Sequence, residues 1–120
     1  MPLAVIIHES ADKREMLVAM LAVMGVSSLA ASDGKEGLTM VRALRPDLVI
    51  SNVSVPKMDG IQLMRTIRKG DQLARIPWIF TGSPDRKEHA LTEGCEFFLA
   101  EPFTSPQLAE LLDRALQEGT

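Results

Sequence analysis

Pro46-Asp47-Leu48-Val49-Ile50-Ser51-Asn52-Val53-Ser54-Val55-Pro56-Lys57-Met58-Asp59-Gly60 decides how the rest of the chain is read. Leu48, Val49 and Ile50 form a short apolar run after Pro-Asp, the pattern of a strand covered on both faces, as in a parallel sheet. Ser51 and Asn52 end that run, which places polar groups at the strand's carboxyl edge. In open α/β sheets ligands bind at this edge, in the crevice where the strand order reverses. Asn52 is therefore the residue whose role must be explained.

Upstream, Leu3 to Ile7 is a short apolar strand running into His8-Glu9. Asp12 to Met24 reads as a helix with Met16, Leu17, Met20, Leu21 and Met24 on its inner face and Gly25 as its stop. Val26 to Ala31 is a weaker, Ser-containing strand suited to a sheet edge. Ser32-Asp33-Gly34 opens a helix with Leu38, Val41 and Leu44 as its stripe, ended by Arg45-Pro46.

Downstream, Asp59-Gly60 starts a helix to about Lys69, with Ile61, Met64 and Ile67 inward and Arg65, Arg68 and Lys69 on a solvated face. A polar connection, Gly70 to Arg75, leads to the strand Ile76 to Phe80, which ends at Thr81-Gly82. Asp85 to Glu93 is a short helix with His89 on its surface. Glu96 to Ala100 is a fifth strand, and Thr104-Ser105-Pro106-Gln107 is a capping box opening a helix with Leu108, Leu111, Leu112 and Leu116 on one side. Strands alternating with helices imply one α/β domain over residues 1–120, a doubly wound parallel sheet with helices on both faces.

The composition narrows the function. The chain has 120 residues, 46% hydrophobic, with a formal charge of −3. Its Lys and Arg residues are scattered along the sequence, which argues against a nucleic-acid surface. No apolar run reaches the roughly 20 residues of a membrane span, and Met1 to Leu21 lacks a basic-then-apolar signal pattern, so a cytoplasmic location and no membrane partner are expected. Cys95 is the only cysteine, which excludes an internal disulfide and a cysteine-based metal cluster. It reads as a small core filler.

The central stretch resembles that of the receiver domains of bacterial two-component response regulators, in which Pro-Asp, four apolar residues and Asp precede a loop with Pro-x-Met-Asp-Gly. Pro46, Asp47, Pro56, Met58, Asp59 and Gly60 match, and Ala31-Ser32-Asp33-Gly34-Lys35-Glu36 resembles the family's Ala-x-Asp-Gly-x-Glu. The resemblance implies a flavodoxin-like (βα)5 fold with strand order 2-1-3-4-5. It also puts Asn52 in register with the phosphorylated aspartate. His8 and Glu9 stand where the family has Mg²⁺-binding acids, and Ser10 takes a site that is often acidic. Thr81 falls at the hydroxyl that contacts the phosphoryl group, Phe98 at the switch aromatic, and Glu101, before a Pro102 peptide bond that is often cis, at the phosphate-binding lysine.

An amide cannot form an acyl phosphate, a carboxylate at Glu101 would repel one, and an imidazole with an amide is a poor set for Mg²⁺. The expected function is thus a degenerate, non-enzymatic receiver that works by binding proteins independently of phosphorylation, with no cofactor and weak or absent Mg²⁺ affinity. A histidine kinase or an effector domain in a longer chain is the expected partner, and a homodimer stays open. His8 and Glu101 are expected to pair, with the carboxylate raising the His8 pKa above its usual ~6.5. Two alternatives remain at this stage: a metal or small ligand held by His8, Glu9 and Glu101, and phosphorylation at a non-standard acceptor, Ser51 or Ser54. A flavin site is disfavoured, since no Gly/Ser/Thr-rich phosphate loop follows the first strand.

Overall fold

The computed structural model describes residues 1–70 and 72–118. Asp71, in the polar connection, lies outside the described residues. In chain order the elements are β1 (Leu3–Ile7), α1 (Ala11–Val23), β2 (Ser27–Ala31), α2 (Gly34–Leu44), β3 (Leu48–Asn52), α3 (Gly60–Arg68), β4 (Trp78–Gly82), a 3₁₀ turn (Pro84–Arg86), α4 (Lys87–Thr92), β5 (Phe97–Ala100) and α5 (Ser105–Glu118). The strands form one parallel sheet in the order β2-β1-β3-β4-β5, which makes the fold flavodoxin-like. Among the described residues, no helix is long and apolar enough to cross a membrane.

The two-sided burial expected of β3 arises from strand alternation. Val5, Ile7, Val49, Trp78, Phe80 and Phe98 pack into one cluster with α2, α3 and α4, while Ala4, Ile6, Leu48, Ile50, Ile79, Phe97 and Leu99 pack into a second with α1 and α5. Each strand thus feeds both layers, so its apolar run shows no alternation in sequence. Cys95 is buried, and burial pushes its thiol up to about 11, consistent with a filler.

Local signals set most boundaries. Ser10 Oγ accepts from Lys13 N at the start of α1, Asp33 Oδ1 accepts from Glu36 N at the start of α2, and the Thr104–Gln107 box closes with bonds of 2.8 and 3.3 Å. The structure shifts the fourth strand: Ile76 and Pro77 precede it, and β4 includes Thr81 and Gly82. Proline has no N–H for a ladder, so pairing starts at Trp78.

Two inward assignments and one outward assignment are corrected. Met16 and Leu44 are 39% and 37% exposed, and the inner face of α2 is built instead by Gly37, Val41, Leu38 and Met40. Arg68 is half-buried: its guanidinium reaches Glu96 at 2.6 Å and the carbonyls of Gly94 and Ile76, tying the end of α3 to the segments entering β4 and β5.

Gly60 lets α3 start directly under the end of β3. A methyl there would lie 2.7 and 2.8 Å from the carbonyl oxygens of Asn52 and Val53. Gly60→Ala is expected to lose about 1–3 kcal/mol in denaturant unfolding, because backbone must yield. Gly70→Ala, whose added methyl makes an ordinary 3.4 Å contact, should stay within about 0.5 kcal/mol of wild type.

Candidate functional site

Four residues at the carboxyl edge of the sheet share one alternation phase. His8 follows Ala4 and Ile6, Asn52 follows Leu48 and Ile50, Thr81 follows Ile79, and Glu101 follows Phe97 and Leu99. Side chains two residues apart on a strand share a face, so all four belong to the α1/α5 side. Ladder bonds continue past the strands and fix these backbones: His8 N to Ala31 O, Val53 N to Thr81 O and Glu101 N to Gly82 O, at 3.1, 2.9 and 2.8 Å. Asn52 and Thr81 are register partners, which settles the position of Thr81.

The four side chains meet. Asn52 Nδ2 donates to Glu101 Oε1 at 2.8 Å and lies 3.5 Å from Thr81 Oγ1, while its Oδ1 accepts from Ser54 N at 2.9 Å. The amide orientation is therefore set by backbone on one side and a carboxylate on the other. Glu101 Oε2 lies 3.6 Å from His8 Nε2 and accepts from Lys13 Nζ at 2.7 Å. Lys13 reaches in because the Ser10 cap starts α1 immediately above β1. The Glu101–Pro102 peptide is cis.

Neutral imidazole has one acceptor nitrogen, and the pocket aims two donors at the ring: Ser10 N is 3.1 Å from His8 Nδ1 and Asn52 Nδ2 is 3.1 Å from Nε2. A hydrogen on Nε2 keeps the Ser10 bond and faces Glu101, leaving the amide hydrogens for Glu101 and Thr81. An imidazolium would accept from neither donor. The His8 pKa is lowered, not raised as the sequence suggested. Loss of hydration on burial is the main cause; Glu101 pulls the other way, against Lys13 and Arg14.

Glu9 does not join the cluster. It is exposed, and among the described residues no three His, Cys, Asp or Glu side chains form a metal-binding group. The alternative ligand set His8, Glu9 and Glu101 is therefore not brought together. The donors also do not suit Mg²⁺: Asn52 presents its NH₂ inward, and an ammonium already covers Glu101. Ser51 is fully buried and donates to Asn52 O at 2.9 Å, whereas Ser54 is exposed with its hydroxyl 2.7 Å from Arg86 Nη1. Phe98 is buried on the opposite face of the sheet. His89 is exposed on α4. Sequence reasoning missed Lys13 and Arg86. Lys13 could have been found, since it lies one turn after the Ser10 cap, above the end of β1.

A parallel sheet in this order, with a polar cluster at the ends of β1, β3, β4 and β5, is an arrangement shared by receiver domains. The model of the response regulator receiver domain family matches residues 4–113, and the chain belongs to that family. It is 32% identical over 116 residues to the response regulator MprA of Mycolicibacterium vanbaalenii, covering 96% of this chain and 50% of that protein, so the chain spans about half the length of this relative. It is 26% identical to the polar-differentiation response regulator DivK of Brucella anthropi, covering 99% of this chain and all of that one. The receiver domain of a signal transduction histidine kinase from Syntrophus aciditrophicus superposes with a TM-score of 0.89 at 28% identity, over 98% of this chain and 91% of that one.

The lowered His8 pKa fixes the sign of a pH effect. In the unfolded chain His8 takes up a proton near 6.5, while the native state resists it. Native stability is unaffected above pH 6.5, declines as pH falls from there toward the folded pKa, and loses no more from this group below it. Thermal unfolding across this range should show the decline in wild type and in His89→Gln, and not in His8→Gln. An NMR titration placing the His8 pKa above that of an unstructured histidine would contradict it.

Proposed function

We propose that this is an atypical receiver domain that binds protein partners without being phosphorylated at Asn52. The observation that carries this reading is the state of the Asn52 amide. It is engaged on both ends, by Ser54 N and Glu101, at the position that corresponds to the phosphorylated aspartate. A carboxamide is neither anionic nor a competent nucleophile toward phosphorus. Glu101 puts negative charge where an incoming phosphoryl group would need a cation, and Lys13 is spent on Glu101. The partner proposed is a histidine kinase or an effector domain, met in the cytoplasm through a fold held in one state by this internal network.

A second reading has one observation behind it. Ser54 is exposed and hydrogen-bonded by Arg86, whose guanidinium would stabilise a phosphate ester on that hydroxyl. Mass spectrometry separates the readings: the first expects no phosphate adduct, whereas a Ser54 ester would survive acid that hydrolyses an acyl phosphate.

The direct test is incubation with Mg²⁺ and acetyl phosphate, and with Mg²⁺ and beryllofluoride, followed by mass spectrometry and amide NMR. Wild type should give no adduct and no shifts around Asn52 and Thr81; either result in wild type overturns the reading. Asn52→Asp alone should also fail, because two carboxylates would then face each other across the 2.8 Å Asn52–Glu101 contact. Like charges at that range hold one carboxyl protonated. This variant should be about 1–3 kcal/mol less stable at neutral pH and recover as the pH drops. The triple variant His8→Asp, Asn52→Asp, Glu101→Lys restores acids and cation together and is expected to bind beryllofluoride.

A further inference from the structure

We propose that the end of the molecule opposite the Asn52 pocket is a docking site for an acidic, apolar-containing segment of a partner protein. Basic residues scattered in sequence converge there. Arg42, Arg45, Lys69 and Arg75 line two adjoining open hollows of about 800 and 650 Å³, which share Arg45, Gln72 and Leu73. The floor is apolar, with Ile67, Leu73 and Ile76 among its residues.

Charge distribution supplies the complementarity. The chain has 16 acidic and 13 basic residues, yet this end is basic. Of the other cations, Lys13 pairs with Glu101, Lys57 with Asp33, Arg65 with Glu93 and Arg68 with Glu96, Arg14 donates to the carbonyls of His8 and Glu9, Arg86 donates to Ser54, and Arg114 lies over the Phe97 ring, while Lys35 and Lys87 stand singly in the first turns of α2 and α4, apart from these hollows. Arg42, Arg45, Lys69 and Arg75 have no ion pair or side-chain hydrogen bond among the described residues. Among the described residues, the one acidic side chain lining the hollows, Asp47, accepts from Leu3 N at 2.7 Å.

Helix polarity explains only part of this arrangement. Arg42 lies in the last turn of α2 and Lys69 caps α3, where positive charge is favoured. Arg75 is outside any helix. Arg45 takes a left-handed backbone with φ of 47°, which suits glycine better and costs an arginine about 1 kcal/mol. Guanidinium groups on the rim of an apolar floor match carboxylates interleaved with aliphatic side chains: the arginines pair with carboxylates two bonds at a time, and the floor takes the aliphatics. This face is separate from the Asn52 pocket, so the inference holds whether or not that pocket can be phosphorylated.

The test is fluorescence anisotropy of the intact chain with a dye-labelled peptide of alternating Glu and Leu. Binding should saturate, weaken with added salt, and shift amide resonances of residues 42–47 and 67–77 in NMR. Arg45→Gln with Arg75→Gln should weaken it roughly tenfold. If that pair fails to melt cooperatively, Arg42→Gln with Lys69→Gln is used in its place. Absence of saturable binding, equal binding of a Lys-Leu peptide, unchanged affinity in the arginine variants, or tighter binding of single-stranded DNA or inorganic phosphate would each overturn the proposal.

Discussion

The Glu101 carboxylate is the constraint on which the pocket depends. It sits at the sheet's carboxyl edge, largely shielded from water, and a carboxylate in that setting must be compensated. Asn52 supplies an amide hydrogen from β3, Lys13 an ammonium from α1, and His8 a ring nitrogen from the end of β1. Three separate elements thus converge on one acidic group. The half-exposed Lys13 contributes only modestly as an ion pair. It also links α1 to the pocket.

Within that arrangement the charge pattern is self-consistent and inverted relative to what the family resemblance implies. Where acids would surround a lysine, one acid is surrounded by an amide, an imidazole and a lysine from a different helix. The neutral imidazole is favoured because burial strips its hydration, and two N–H donors point at the ring. The function proposed above rests on this pairing, which leaves neither Lys13 nor Glu101 free for a phosphoryl group or a metal. Ser54 extends the network outward: its N–H orients Asn52 while its hydroxyl holds Arg86 at the entry to α4.

Much of this was legible in the sequence, for identifiable reasons. Apolar runs, Pro and Gly stops and the Thr104–Gln107 box locate the elements, because each acts within a few residues of itself. The shared phase of His8, Asn52, Thr81 and Glu101 follows from counting in twos along four strands. What was not legible depends on long side chains crossing between elements. Lys13 reaching Glu101 and Arg68 reaching Glu96 span 88 and 28 residues of sequence, and no periodicity marks them. The His8 pKa was misjudged because a neighbouring carboxylate is visible as a residue type, whereas desolvation and the direction of Ser10 N–H exist only in the folded chain.

The two ends of the molecule carry charge in opposite ways, and the sheet explains how both arise. At the carboxyl edge, loops fold inward and the pocket charges Glu101 and Lys13 pair within the chain, while Glu9 stays exposed. At the other edge, the helix ends favour cations, and Arg45 and Arg75 from the connections beside them join Arg42 and Lys69. Internal pairing satisfies the first set and leaves the second for solvent or a partner. A domain whose pocket pairs its own charges thus presents Arg42, Arg45, Lys69 and Arg75 on a separate surface.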